Sequence, residues 1–192
     1  MEVQVTTDPV KLPLDVKAAR VHLQIEHTDD DAYIQALIRA ATNIAQTITH
    51  RKFITQTLTL YLDASEMASP IKLPYPPQQS LTSFEYYDSD RTATTVDSTG
   101  YDAIGTNSMR IVSKNGGWQN HQAYQSHKIV YTTGYGLTGE SVPDDIIHAI
   151  KIIVADLWNN PESSKKEMGT QLTSDQIPFV ARTLLEPYRV LI

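Results

Sequence analysis

The stretch from Lys128 to Asn159 constrains the fold more than any other, because it runs from a strand straight into a helix that is apolar on two sides. Lys128-Ile129-Val130-Tyr131-Thr132-Thr133 is rich in β-branched and aromatic residues, which suit a pleated, half-buried surface, and Gly134-Tyr135-Gly136 stops it. Pro143 then stands where a first helical turn has no use for a backbone N–H, and Asp144 and Asp145 place negative charge at the positive end of the helix dipole. Ile146, Ile150, Ile153 and Leu157 form one stripe at helical spacing, and Ile147, Val154 and Trp158 form a second. Asn159-Asn160-Pro161 ends the helix, since proline cannot continue its hydrogen-bond ladder. A helix of this kind must be covered on both sides, by the chain's own sheet and helices or by another copy of the chain.

The segments before it change period. Leu14, Val16, Ala19, Val21, Leu23 and Ile25 surround Asp15, Lys17 and Arg20 in a short amphipathic helix. Thr28 with Asp31 has a form related to a capping box, and Asp29-Asp30-Asp31 suits the start of a second helix. Tyr33, Ile34, Leu37, Ile38, Ala41, Ile44, Ala45 and Ile48 carry that helix to His50-Arg51-Lys52. From Thr57 to Leu62 the leucines alternate with Thr and Tyr, the mark of a strand with one buried face. Short strands are expected at 71–73, 81–87, 92–96, 101–104 and 109–112, separated by Pro74-Tyr75-Pro76-Pro77, Asp88-Ser89-Asp90 and Asn115-Gly116-Gly117. In the strand at 81–87, simple alternation puts Leu81, Ser83, Glu85 and Tyr87 on one face and Thr82, Phe84 and Tyr86 on the other. After the long helix, residues 160–176 have no hydrophobic period and read as a loop or adaptable segment, before a last short helix from Ile177 to Glu186. The expected fold is therefore α+β. A helical bundle of residues 10–50 and 142–192 carries an inserted antiparallel β subdomain at 53–133, all in one domain.

The net charge of −6 argues against a nucleic-acid-binding face, which needs clustered Lys and Arg to displace counterions from phosphates. The first 31 residues hold seven acidic residues against three basic ones, and an acidic wall lets DNA pass without sticking. With no cysteine, disulfides and thiolate metal sites are excluded. The opening residues lack a basic region followed by an apolar run, so no secretory signal is expected, and Lys151 and Asp156 break the best candidate membrane span. A soluble protein made in the cytoplasm is expected.

No motif carries catalysis. His22 and His27 are five apart and there is no His-Glu-x-x-His; His121 and His127 flank a loop where a ligand pair is conceivable, without accompanying carboxylates. Asp29-Asp30-Asp31 lacks the alternate spacing and central glycine of a calcium loop. Gly134, Gly136 and Gly139 match Gly-x-Gly-x-x-Gly literally, but the helix starts only after Pro143, and two aspartates there would repel a pyrophosphate. No cofactor and no metal are expected.

The order of elements and several pieces of sequence carry a resemblance. Leu12-Pro13-Leu14 precedes Ala18-Ala19-Arg20-Val21-His22-Leu23, and Asp29-Asp30-Asp31-Ala32-Tyr33-Ile34 opens the second helix. Then come Ile54-Thr55-Gln56-Thr57, Ile71-Lys72-Leu73-Pro74-Tyr75-Pro76-Pro77, and Tyr131-Thr132-Thr133-Gly134-Tyr135-Gly136 leading to Val142-Pro143-Asp144. Ile177-Pro178-Phe179 and Leu184-Leu185-Glu186-Pro187-Tyr188-Arg189 close the series. Together these resemble the head-tail connector proteins (adaptor, head-completion) of long-tailed bacteriophages and prophages.

The resemblance implies a structural virion protein and not an enzyme. It implies a ring of roughly twelve copies under the portal vertex, closed by head-to-tail contacts around the DNA channel. Its partners would be further copies of itself, the portal protein and a downstream neck or tail protein, with DNA only as passing cargo and no membrane. The place would be the virion neck. Expected contacts to copies or partners are Ile147, Val154, Trp158, Leu184, Leu185, Tyr188 and Leu191, and expected channel-facing acids are Asp29, Asp30 and Asp31. The β segment is longer than in the simplest, mostly helical connectors and suits a contact of its own. Two alternatives stand beside this: another neck or tail-completion protein, and a metal-dependent enzyme using His121 and His127.

Overall fold

The computed structural model describes residues 1–105, 107–119, 123–160 and 177–190. They form two compact units, one of Met1–Pro9 with Thr55–Tyr135 and one of Val10–Ile54 with Gly136–Ile192.

The described strands of the first unit all pair antiparallel. Strands β1 (Glu2–Thr7), β2 (Gln56–Leu62), β3 (Ile71–Lys72), β4 (Gln78–Tyr87), β5 (Ala93–Thr95), β6 (Tyr101–Ile104), β7 (Arg110–Ser113) and β8 (His127–Thr133) make two sheets. One has the order β1-β2-β8-β4-β5, the other β3-β7-β6. The leucine alternation of β2 sets the register: Leu58, Leu60 and Leu62 lie opposite Tyr131, Ile129 and His127. These residues share one hydrophobic core with Phe84 of β4 and with Ile71, Leu73, Met109 and Ile111 from the smaller sheet. Strand β1 went unforeseen in the sequence, because Val3 and Val5 are its only apolar residues. It is an edge strand, with only Val3 packed against the core, so most of its side chains are polar and exposed.

Strand β4 departs from simple alternation. Register shifts between Gln78 and Ser80 and between Leu81 and Ser83 each put an extra residue into the strand. The second brings Leu81 opposite Tyr131 while Phe84 lies opposite Ile129, so both face the core. The alternation expected from sequence had placed them on opposite faces; one inserted residue reverses the parity.

The proline-rich segment after β3 cannot donate to a ladder, and its carbonyls are instead taken by side chains. Tyr131 Oη donates to Pro74 O (2.9 Å), and Thr133 Oγ1 donates to Pro77 O (2.9 Å) and to Tyr75 O. Burial pushes the Tyr131 phenol well above its usual range, so it stays a donor. Gln78, only 2% exposed, uses its whole amide. Nε2 donates to Leu73 O (2.8 Å) and Pro74 O (3.1 Å), and Oε1 accepts from Met109 N (2.9 Å). Replacing it takes this partner from Leu73 O and Met109 N, while Pro74 O keeps the Tyr131 hydroxyl. Gln78→Leu is therefore expected to cost on the order of 3 kcal/mol, read as a lower urea midpoint with unchanged slope.

The second unit is helical. Its elements are α1 (Val16–Leu23), α2 (Asp31–Thr49), α3 (Asp144–Asn159) and α4 (Phe179–Leu185), the last followed by a 3-10 turn over Glu186–Tyr188. Asp15 caps α1 by accepting from Ala18 N (2.6 Å). The capping-box form at Thr28 is not used: the N-cap of α2 is Asp30, with no side-chain cap bond. Asp31 instead meets Arg20 Nε at 3.0 Å, and Arg20 also donates to the carbonyls of Glu26 and His27, which ties the α1–α2 connection together. Helix α3 packs against α1, α2 and α4. Ile146, Ala149, Ile150, Ile153 and Val154 are all buried there. The tail is pinned by Val190 N donating to Thr49 O (3.0 Å), Arg51 Nε donating to Tyr188 O, and Tyr188 Oη donating to Asp145 Oδ2 (3.1 Å). Val154→Asp would place a carboxylate in the buried interior of the helical unit, and we expect a loss on the order of 3 kcal/mol or an insoluble product. Circular dichroism melts of the purified variant check this.

Candidate functional site

The residues expected to contact other copies divide by their place in the fold. Val154 (1% exposed) and Leu185 (0%) are interior residues of the helical unit, so they are corrected from contact surface to core. The reason is that α3 packs against α1, α2 and α4, all within the same unit. Ile147, Trp158 and Leu184 remain partly exposed, and Trp158 packs its ring on Tyr33 at 5.7 Å between centroids. Tyr188 is spent on Asp145 and Arg51 within its own unit. Leu191 lies outside the described residues, as does the segment 161–176. Sequence reasoning passed over other apolar residues at the surface of this unit: Val21 (73% exposed), Leu137 (69%), Phe179 (81%) and Val180 (55%). Phe179 stood in the sequence as the opening of the last helix, and nothing in its spacing distinguished a core position from a surface one.

The acidic run at 29–31 is split. Asp29 is exposed, Asp30 has a carboxylate oxygen 3.7 Å from His27 Nδ1, and Asp31 is engaged by Arg20. Only Asp29 is left facing solvent without such a neighbour among the contacts the structure records.

The chemical alternatives meet specific geometry. His121 lies outside the described residues. His127 is 1% exposed, its Nδ1 is 2.9 Å from Ser126 Oγ, and its ring lies against Phe84 and Tyr86, which is a core position. Among the described residues no group of three or more His, Asp or Glu side chains could hold a metal ion. The three glycines of the phosphate-loop pattern each have a structural cause. Gly134 takes φ +125°, and a Cβ on Gly136 would overlap the Ser141 side chain. A Cβ on Gly139 would fall inside the Pro13 carbonyl. No helix among the described residues is long and apolar enough to cross a membrane.

One titratable cluster lies in the helical unit. His22 of α1 and His148 of α3 have ring centroids 6.3 Å apart, with Lys151 one turn along α3. Partial burial, then Lys151 and His148, hold the His22 imidazolium below its ordinary value of 6.5. The unfolded chain therefore takes up this proton more readily than the folded one. Stability from this group is full above pH 6.5 and falls as the pH drops below it. His22→Gln is expected to shrink the loss of urea midpoint between about pH 7.5 and about pH 5.5, and an unchanged loss would contradict the assignment.

As a class, then, this is an α+β protein with an antiparallel β unit and a helical unit that has four α-helices among the described residues. The family model described as "Head completion protein" matches residues 13–191, and the chain belongs to that family. Among curated proteins, none matches significantly. Solved structures similar in fold come from gene transfer agent (GTA) particles. A chain from the neck of an empty GTA particle computed with C6 symmetry superposes with a TM-score of 0.79 at 21% identity, covering 100% of this chain and 97% of the other. A chain from the virion of a native GTA particle gives 0.78, and one from a native neck computed with C12 symmetry gives 0.77, with the same identity and coverage.

Proposed function

We propose that the chain is a structural protein of the virion neck, which joins the head at its portal vertex to the tail as a ring around the DNA channel. The observation that carries this is the head completion family match over 13–191, in a fold that is also found, at low identity, in particle necks computed with six-fold and twelve-fold symmetry. The surface of the helical unit supports it. Phe179 and Val180 stand adjacent and exposed, and Ile147, Trp158 and Leu184 are only partly covered. Apolar area of this kind suits a head-to-tail contact between copies, which closes a ring when the rotation is right. A net charge of −6, with Asp29 facing solvent, suits a wall that DNA passes without binding. The partners in this reading are the portal protein, a downstream neck or tail protein and further copies of the chain, and no catalytic step is assigned to it.

Removing the chain from the producing cell should leave DNA-filled heads without tails, seen by negative-stain microscopy. Wild-type protein should restore tailed particles, while Phe179→Asp should restore few despite a melting temperature within about 3 °C of wild type, as expected of an exposed substitution. Normal tailed particles in the absence of the chain would overturn the proposal.

A further inference from the structure

The β unit holds a cavity that plays no part in the argument for the neck reading. At one end of the two sheets, where the chain leaves β5 and crosses through a 3-10 turn (Ser98–Gly100) into β6, lies a half-open cavity of about 500 Å³. That is within the usual size range of small-molecule sites, roughly 300 to 1,000 Å³. Its lining combines the rings of Tyr86, Trp118 and His127 with the polar side chains of Asp97, Asn115 and Gln119.

Trp118, Asp97 and the turn that carries Asn115 are each held by hydrogen bonds within the β unit. Trp118 is fixed by Nε1 donating to Ala68 O (3.2 Å) and by an edge-on contact with Phe84 at 5.1 Å. Asp97 is oriented by Thr99, whose N–H (2.8 Å) and hydroxyl (2.9 Å) both donate to Oδ1. Ser113 Oγ shapes the turn that carries Asn115, accepting from Asn115 N and Gly117 N and donating to Gly117 O. A site whose groups are pre-positioned loses less on binding than one that must be ordered by its ligand.

The chemistry of the lining narrows the occupant. Among the described residues the lining holds no lysine or arginine to offset the charge of a phosphate or carboxylate. A hydrocarbon would displace water from the Asn115 and Gln119 amides and from the Asp97 carboxylate, whose Oδ1 alone is held by Thr99, without replacing those hydrogen bonds. A ligand that suits both halves has an apolar face to lie on an indole or phenol ring and a rim of hydroxyls for a carboxylate and two amides. We propose that this cavity binds a neutral pyranose sugar, stacked on Trp118 and hydrogen-bonded by Asp97, Asn115 and Gln119. This does not depend on the neck reading and stands or falls separately.

The test is a titration of the full chain, ¹⁵N-labelled, with methyl glucoside, methyl galactoside and N-acetylglucosamine, following its two indole N–H signals by NMR. A Trp118→Phe variant assigns them. At least one sugar should shift the Trp118 signal saturably, with a midpoint on the order of 1 to 10 mM, and leave the Trp158 signal unmoved as an internal reference. Asn115→Ala, an exposed rim position, should weaken that midpoint about threefold or more with the rest of the spectrum preserved. Absence of a saturable shift with all three sugars overturns the proposal. So does an Asn115→Ala midpoint equal to wild type, or a saturable Trp118 shift produced by inorganic phosphate or a proline-rich peptide and by none of the sugars.

Discussion

The pairing of β2 with β8 is the constraint on which the rest depends. Seven consecutive residues of each strand are in register, from Gln56 opposite Thr133 to Leu62 opposite His127. Everything between residues 63 and 126 is an excursion that this ladder closes. The loop is long, so closing it costs entropy that only a well-buried ladder can offset. Leu58, Leu60, Ile129 and Tyr131, all fully buried, supply that burial on one face. Where the ladder ends, Ile54 and Gly136 form an isolated parallel bridge, so the helical unit resumes beside the point where it was interrupted. An insertion whose two ends meet can be long without disturbing the helices that carry it.

Within the β unit, polar side chains do what backbone ladders cannot. Prolines at 70, 74, 76 and 77 remove donors from one stretch of chain, and the carbonyls there are matched by Gln78, Tyr131 and Thr133. A fully satisfied buried network fixes a single arrangement, whereas a half-satisfied one would be worse than none. Gln78 illustrates the point, since one amide meets three backbone groups.

Long periodic segments were legible in the sequence for a physical reason: helices α2 and α3 and strands β2 and β8 bury a face that repeats many times. The division of the described residues into helical and β parts follows from where the period changes. What could not be read depends on events of one residue. The bulge between Leu81 and Ser83 changes which face Leu81 occupies, and no local signal in Leu81-Thr82-Ser83 announces it. Strand β1 forms because β2 offers it an edge, so its propensity is supplied by a segment some fifty residues away. The two apolar stripes of α3 called for two covers, and the spacing left open whether the second was the chain itself. Val154 is buried within the helical unit and Trp158 rests in part on Tyr33, while Ile147, Leu184 and Trp158 keep a partial exposure that a contact between copies would use.

Family membership and fold point to a protein whose work is done by being held among others. Among the described residues exposed apolar side chains occur on both units, Val5, Ile104 and Tyr124 on the β unit and Val21, Leu137, Phe179 and Val180 on the helical unit, where Phe179 and Val180 are adjacent. The most direct measurement is the number of copies of this chain bound to the purified portal assembly, by native mass spectrometry. The account predicts a fixed, complete set of roughly twelve copies, with no stable partial sets, because a closed head-to-tail ring gains its last contact only on completion. No binding to the portal, or a single copy bound with no further copies joining, would contradict it.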